Sequence, residues 1–273
     1  MTTPIPGLRP SSPNRTSTLL ANLAHVTARI TAATPSSPSP KPPRLIAVSK
    51  LKPASDILTL HTTTSPLHAH FGENYTQELH EKSRLLPSSI KWHFIGTLQS
   101  NKCVALARDV RGLFAVESVD SAKKATLLDK GWGERAAELR AQDHEDRLRV
   151  FVQVNTSGED AKSGVPPGTE AVELCRFIRE RCPRLRLTGV MTIGAIARSR
   201  GVKEGEENVD FLCLRDTRDN VVRELGLQGE EGLELSMGMS EDFEGAIRLG
   251  SDEVRVGTGI FGQRPPKELA TVL

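Results

Sequence analysis

A lysine closes the first strand-like run of this 273-residue chain, Ile46-Ala47-Val48-Ser49-Lys50. Alternation along a strand places Lys50 on one face with Ile46 and Val48. An ammonium aligned with two branched aliphatics loses part of its hydration, which lowers the amine pKa, and a neutral amine attacks an aldehyde to form a Schiff base. The other reading of that position alone is a lysine snorkelling to water from a strand end. Two more segments carry a different chemistry. Ser236-Met237-Gly238-Met239-Ser240 leads into a helical pattern at 241–249, and Gly257-Thr258-Gly259 follows a strand-like run at 253–256. Glycine and small residues ahead of a helix leave backbone N–H groups open, and hydroxyls add donors, which together make a phosphate cradle. Ser240 could equally cap its helix, and Glu241 and Asp242 in the first turn oppose an anion. The pairing of two such turns in adjacent loops favours a bound phosphoryl group. Arg255 alternates with Val254 and Val256. With the valines facing outward, its guanidinium points inward towards Lys50 and needs an acceptor there, either a ring nitrogen or a glutamate.

Elements that could hold these residues recur with a steady period. Strand-like runs fall at 45–49, 69–72, 92–96, 113–116, 148–154, 185–193, 233–236 and 253–256, starting about every 30 residues, the length of a strand, a helix and two turns. Helical patterns lie between them at 54–63, 77–86, 98–108, 121–141, 169–182, 206–225 and 239–249. Leu19, Leu23, Val26 and Ile30 add a helix over 16–33. Eight strands alternating with helices predict an α/β protein, a single-domain (β/α)8 TIM barrel with an extra N-terminal helix. The open doubly wound alternative lacks a GxGxxG after the first strand. In such a barrel chemistry gathers where strands end and their loops begin, with phosphate commonly held after strands seven and eight. Residues 1–15 are expected to be a flexible tail and 16–273 the barrel, with polar surface excursions at 131–147 and 196–208.

Composition narrows the function classes. Apolar residues make up 37% and charged ones 26%, enough for a packed interior, and 36 basic against 34 acidic residues leave a net charge of +2, too balanced for nucleic-acid binding by bulk charge. No apolar run reaches the roughly 18 residues of a membrane helix. Cys103, Cys175, Cys182 and Cys213 form no CxxC pair, so they read as free thiols of a reducing compartment and not as a zinc or disulfide framework. A cytoplasmic protein is expected. The stretch 1–55 contains no Asp or Glu but has several Arg and Lys among Ser, Thr and Pro, which keeps a mitochondrial transit peptide open beside a disordered tail.

The motifs, taken together, resemble a known family. Ala47-Val48-Ser49-Lys50-Leu51-Lys52-Pro53, Phe71-Gly72-Glu73-Asn74-Tyr75, and Trp92-His93-Phe94-Ile95-Gly96 with Leu98-Gln99-Ser100-Asn101-Lys102 are similar to the pyridoxal phosphate homeostasis protein family. So are Gln153-Val154-Asn155, Lys162-Ser163-Gly164-Val165, Gly189-Val190-Met191-Thr192-Ile193, Leu235-Ser236-Met237-Gly238-Met239-Ser240 and Val254-Arg255-Val256-Gly257-Thr258-Gly259-Ile260-Phe261-Gly262. The resemblance runs in order from about residue 16 to 264. It implies a fold-type III barrel related to the N-terminal domain of alanine racemase, binding pyridoxal 5′-phosphate without an established catalytic activity.

The resemblance also implies roles. Lys50 matches the Schiff-base lysine, and Arg255 the arginine that meets the pyridine nitrogen. Ser236, Met237, Gly238 and Ser240, with Gly257 and Thr258, match the two phosphate-holding turns. Asn74 and His93 are expected near the cofactor. A pyridine nitrogen facing an arginine stays unprotonated and is a weak electron sink, which disfavours transamination. A racemase needs proton donors on both substrate faces. In the related racemase the second is a tyrosine from another domain; with the sequence ending nine residues after Arg264 that domain is not expected here, and Tyr75 and His93 are the stand-ins. The expected function is therefore a carrier that holds pyridoxal phosphate on Lys50 and delivers it to apo-enzymes in vitamin B6 homeostasis. The alternative is a racemase-like enzyme, and a third reading is a phosphosugar isomerase. Expected partners are pyridoxal phosphate and apo-enzymes, with no nucleic acid, membrane or metal, and a monomeric state.

Overall fold

The computed structural model describes residues 8–39, 41–143, 145–159, 162–195, 207–227, 232–266 and 272. Eight parallel strands pair in chain order, and the last closes on the first: β1 (Arg44–Val48), β2 (His70–Glu73), β3 (Lys91–Phe94), β4 (Leu113–Val119), β5 (Leu148–Gln153), β6 (Leu185–Met191), β7 (Glu234–Ser236) and β8 (Glu253–Val256). Each lies within three residues of the run expected from the sequence. Outside them are α1 (Pro13–Ala33), α2 (Ala54–Thr63), α3 (Thr76–Leu85), α4 (Ser100–Asp109), α5 (Ala122–Gly133), α6 (Ala137–Arg140), α7 (Thr169–Arg181), α8 (Val209–Leu225), α9 (Phe243–Arg248) and α10 (Thr258–Phe261). This is the (β/α)8 barrel that the periodicity predicts.

Alternation sorts each strand into two faces. Ala47, Phe71, Trp92, Phe94, Val150, Val152, Leu235, Val254 and Val256 face outward and form one buried layer with the helices. The inward face is different. Phe114, Ala115, Phe151 and Met191 make a small apolar cluster, Ile46 and Val48 add apolar surface towards the C-terminal end, and between them the lumen is largely charged or polar. Near its N-terminal end, Arg44 bonds Glu253 at 2.7 Å and Glu234 at 2.9 Å. Arg44, Lys91 and Arg149 also stand over the Phe114 ring at 5.8, 5.2 and 4.7 Å. Chemistry inside this barrel is thus carried by polar side chains crossing a narrow, closed space.

Helix α1 does more than lead into the barrel. The helix after β8 is four residues long, and α1 packs against α10, α2 and α9, so it covers the seam where an eighth outer helix would lie. Leu19, Leu23, Val26, Ile30 and Ala33 are its buried stripe. Proline at the first helical position starts it at Pro13, three residues before the expected boundary. Arg15 is therefore part of the fold and not of a tail: it pairs with Asp56 at 2.6 Å and donates to the Phe261 carbonyl at 2.8 Å.

The polar stretch 131–147 also differs from expectation. Gly131 lies against α4, where a Cβ would meet the Val104 carbonyl oxygen at 2.5 Å. Trp132 is buried and donates its indole N–H to the Asp146 carbonyl at 2.9 Å. Arg135 is buried too, paired with Asp143 at 2.5 Å and capping the carbonyls of Ala107 and Val110 at the end of α4. One expected helix over 121–141 is split because the chain turns inward at Arg135, so this segment is an anchored corner and not a plain surface excursion. Of the second excursion, 196–206 lies outside the described residues, while Asn208 caps α8.

Candidate functional site

The C-terminal mouth of the barrel collects Lys50, Arg255 and the turns after β7 and β8. Its floor is apolar: Ile46, Val48 and Ile95 crowd round Gly72, whose Cβ would sit 2.9 Å from Ile46 Cγ2 and 3.2 Å from Ile95 Cδ1. Lys50 rises at the edge of this floor, half-buried. Burial, then the guanidinium of Arg264 and that of Arg255, push its amine down to about 8, against the pull of Glu73 and Glu78. At neutral pH that raises the neutral fraction about 300-fold over an ordinary lysine.

The turn carrying Lys50 is held from below. Lys82 of α3, fully buried, donates to the Ser49 carbonyl at 2.9 Å, to Glu73 at 2.7 Å and to Glu78 at 2.6 Å. Glu78 in turn accepts the Leu51 N–H at 2.7 Å, and Ser49 Oγ donates to Glu73 at 2.7 Å. Leu51 needs such help, because its φ of 60° is left-handed and uncommon for a branched residue. Burial pushes the Glu73 carboxyl up, with Lys82 opposing. Sequence reasoning missed this clamp, although Glu73 stands inside a quoted motif and Lys82 follows Glu78 at the i, i+4 spacing of an ion pair.

The β8 turn touches the same place. A Cβ on Gly257 would lie 3.3 Å from the Val48 carbonyl oxygen and 3.6 Å from Arg264 Nη2, so Arg264 overhangs this turn as well as lowering the Lys50 amine. Thr258 and Gly259 open α10, where first-turn N–H groups have no intrahelical acceptor. Ser240 Oγ accepts the Gly257 N–H at 3.4 Å, which ties the two turns together. Gly238 takes φ 93°, and a Cβ there would meet Ala246 Cβ at 2.6 Å. The two turns thus lie side by side, with Arg264 as an added cation beside them.

Arg255 points inward as the alternation requires and is only 4% exposed. It donates to Ser236 Oγ at 2.6 Å and to the Thr192 carbonyl at 2.7 Å. Three residues expected at the cofactor already have partners within the protein. Ser236 is fully buried, its hydroxyl accepting from Arg255 and donating to Glu117 at 2.8 Å, so it supports the arginine. Met237 turns outward into the core and its N–H bonds the Glu253 carbonyl at 3.3 Å. His93 faces the lumen, but both ring nitrogens are taken, by Glu117 at 2.8 Å and His70 at 2.9 Å, beneath the mouth. Asn74 follows β2 with a buried Oδ1 that has no partner among the described residues. It lines a cavity of about 520 Å³ between α3 and α4, which Lys50 and Arg255 do not line.

The arrangement is that of a racemase-type barrel: residues 20–265 match the family described as alanine racemase, N-terminal domain. The pyridoxal phosphate homeostasis protein of Schizosaccharomyces pombe is 42% identical over 84% of this chain and 87% of its own length. That of Caenorhabditis elegans is 44% identical over 82% of this chain and 87% of its own. The chain belongs to the pyridoxal phosphate homeostasis protein family. Among solved structures, that of PipY from Synechococcus elongatus with pyridoxal phosphate bound is similar with a TM-score of 0.68 and 28% identity, over 89% of this chain and all of PipY. Among the described residues no helix is long and apolar enough to cross a membrane.

Proposed function

We propose that this protein binds pyridoxal 5′-phosphate at the barrel mouth and carries it, holding the aldehyde on Lys50 and releasing it to apo-enzymes. The observation that carries the reading is the half-buried Lys50 amine, lowered to about 8 and facing the same opening as Arg255. The residues present fit the group. Ser240, Gly257 and Thr258, with Arg264 above them, would surround the phosphate, and Arg255 would face the ring nitrogen. When bound, the cofactor supplies an electrophilic aldehyde for the Lys50 amine. The chain's part is to raise the neutral fraction of that amine, hold its turn in place through Lys82, and shield the site on an apolar floor.

A carrier is favoured over a racemase by the two stand-in bases. His93 is sealed in the lumen with both nitrogens engaged, and Tyr75 is 38% exposed on the turn into α3. Delivery to apo-enzymes needs a mouth that water and amines can reach, in keeping with the partial exposure of Lys50.

The test is an absorbance spectrum of protein mixed with pyridoxal phosphate, then borohydride reduction and peptide mapping. The reduced adduct is expected on Lys50, and Lys50→Ala is expected to lose the visible band near roughly 420 nm. An adduct on another lysine, or none, overturns the reading. Covalent uptake should also quicken about tenfold per pH unit up to about 8 and then level off, following the free amine. Transfer of the cofactor to an apo-enzyme faster than it appears free in solution is the further result expected of a carrier.

A further inference from the structure

Arg255 is a buried cation whose two hydrogen bonds go to neutral oxygens, Ser236 Oγ and the Thr192 carbonyl. A guanidinium cannot shed its charge, so its counter-charge must lie one step further. It is found by following the protons. Ser236 has a single hydroxyl hydrogen; having accepted from Arg255, it donates to Glu117 Oε2 at 2.8 Å. On the other side His93 Nδ1 meets Glu117 Oε1 at 2.8 Å, and His70 Nδ1 meets His93 Nε2 at 2.9 Å. Burial lowers His93 to about 4, so its ring is neutral at physiological pH, donating from Nδ1 to the carboxylate and accepting from His70 on Nε2. Every donor in the thread points at Glu117.

Glu117 also lies against a second acid. His93, Glu117 and Glu253 bring ionisable atoms within 4.8 Å of one another, all fully buried. Two carboxylates in such contact do not both ionise. Glu253 Oε2 accepts from Arg44 at 2.7 Å, whereas its Oε1 is buried with no other partner among the described residues. A proton on Oε1, given to Glu117, satisfies both acids. Burial first and then the Glu117 charge push Glu253 up to about 8; burial pushes Glu117 up as well, but Arg255 and the Ser236 hydroxyl oppose it, and with those donors converging on it Glu117 is the better anion. The charged and titratable groups facing this pair are Arg44 from β1, His70 from β2, His93 from β3, Arg149 from β5, Glu234 from β7 and Arg255 from β8.

We propose that Glu117 is the positioning residue for Arg255, holding the guanidinium at the mouth through Ser236, with Glu253 as its protonated partner. The role towards the cofactor ring rests on the reading given under Proposed function. The two acids are neighbours at one depth, yet their isosteric amides should behave differently. Glu253→Gln keeps the neutral partner that the thread already uses. Glu117→Gln removes the anion on which every donor converges.

The experiment takes the full chain as wild type, E117Q and E253Q, and titrates pyridoxal phosphate labelled with 15N in the ring, across about pH 6 to 9. The readouts are the dissociation constant, the ring-nitrogen chemical shift, and thermal stability. E117Q is expected to weaken binding about tenfold, the size of one lost charge-assisted hydrogen bond, and to move the nitrogen shift. E253Q is expected to stay within about twofold of wild type at neutral pH and to flatten the wild-type change in shift towards pH 9. Stability provides a reading without ligand. Glu253 has its folded pKa raised, so its contribution is complete below the ordinary carboxyl range and is lost as pH rises through about 8. Wild type should therefore lose stability relative to E253Q as pH climbs from about 5 to 8. Equal effects of the two substitutions, or an unchanged nitrogen shift in E117Q, overturn the proposal. Wild-type protein that takes up no cofactor overturns the functional reading itself, a different result from uptake that E117Q leaves untouched.

Discussion

Two buried charge networks serve this mouth from opposite sides of the sheet. Outside the barrel, between β2 and α3, one lysine is saturated by two carboxylates and a carbonyl: Lys82 with Glu73, Glu78 and Ser49. Inside it, one carboxylate is approached by donors from several strands: Glu117 with His93, Ser236 and, through Ser236, Arg255. The outer network acts on backbone, since it ends at the Ser49 carbonyl and the Leu51 N–H on either side of Lys50. The inner one ends on a side chain. One sets where the amine is; the other sets where a positive charge is. That division explains why the outer network can be local in the chain, spanning residues 49 to 82, while the inner one joins residues 119 apart.

The sharpest break in the comparison is Lys82→Met. It leaves Glu73 and Glu78 without their cation, in a place where Glu73 Oε2 already lacks a partner among the described residues. A loss of about 3–5 kcal/mol is expected, read from denaturant midpoints, because an uncompensated buried charge is left behind. Ser236→Ala comes next, at about 1–3 kcal/mol, since Arg255 Nη1 and Glu117 Oε2 each lose one buried partner. If it proves harmless, the inner thread is not one connected unit. The smallest effect belongs to Glu78→Gln, whose carboxylate is 11% exposed and whose amide oxygen can still accept from Leu51. Below about 1 kcal/mol is expected for a partner that water partly screens, with faster covalent uptake by Lys50 at neutral pH as the accompanying kinetic sign, because Glu78 no longer pulls that amine up. A larger loss would place the weight of the clamp on Glu78 and not on Glu73.

The inner and outer networks also mark how far the sequence could be read. Strand period and alternation are local properties, so the barrel, the inward Arg255 and the shared face of Ile46, Val48 and Lys50 were legible. Glycine and hydroxyl content marked the two turns after β7 and β8, and the motif resemblance matched them to a phosphate. Ser236 was assigned with those turns because it heads the glycine stretch, yet as the last residue of β7 it obeys the strand's alternation and faces the lumen. His93 was expected near the cofactor, but which layer of the lumen it occupies depends on register between strands. That register shifts within the pairings of β3 with β4 and β4 with β5, and no single-strand pattern contains it. Glu117 was hidden for the same reason, as it lies beyond the run 113–116 read as the fourth strand. Arg264 follows the last motif, where nothing local marks a cation bent back over Gly257. Arg135 illustrates the opposite error, a charge in a polar run taken for surface although three backbone oxygens and Asp143 receive it.

Helix α1 standing at the seam has a consequence for assembly. Its side of the barrel is finished only when elements from both extremes of the chain meet, as Arg15 and Phe261 do across 246 positions. During synthesis the stripe of Leu19, Leu23, Val26 and Ile30 is made before any strand, and it must wait, uncovered, for α9 and α10. Contacts of such long separation are slow to form and leave apolar surface open to strangers in the meantime. Docking of the earliest helix and completion of the cylinder are one event, and the pocket that depends on β1 and β8 being neighbours comes into being at that moment.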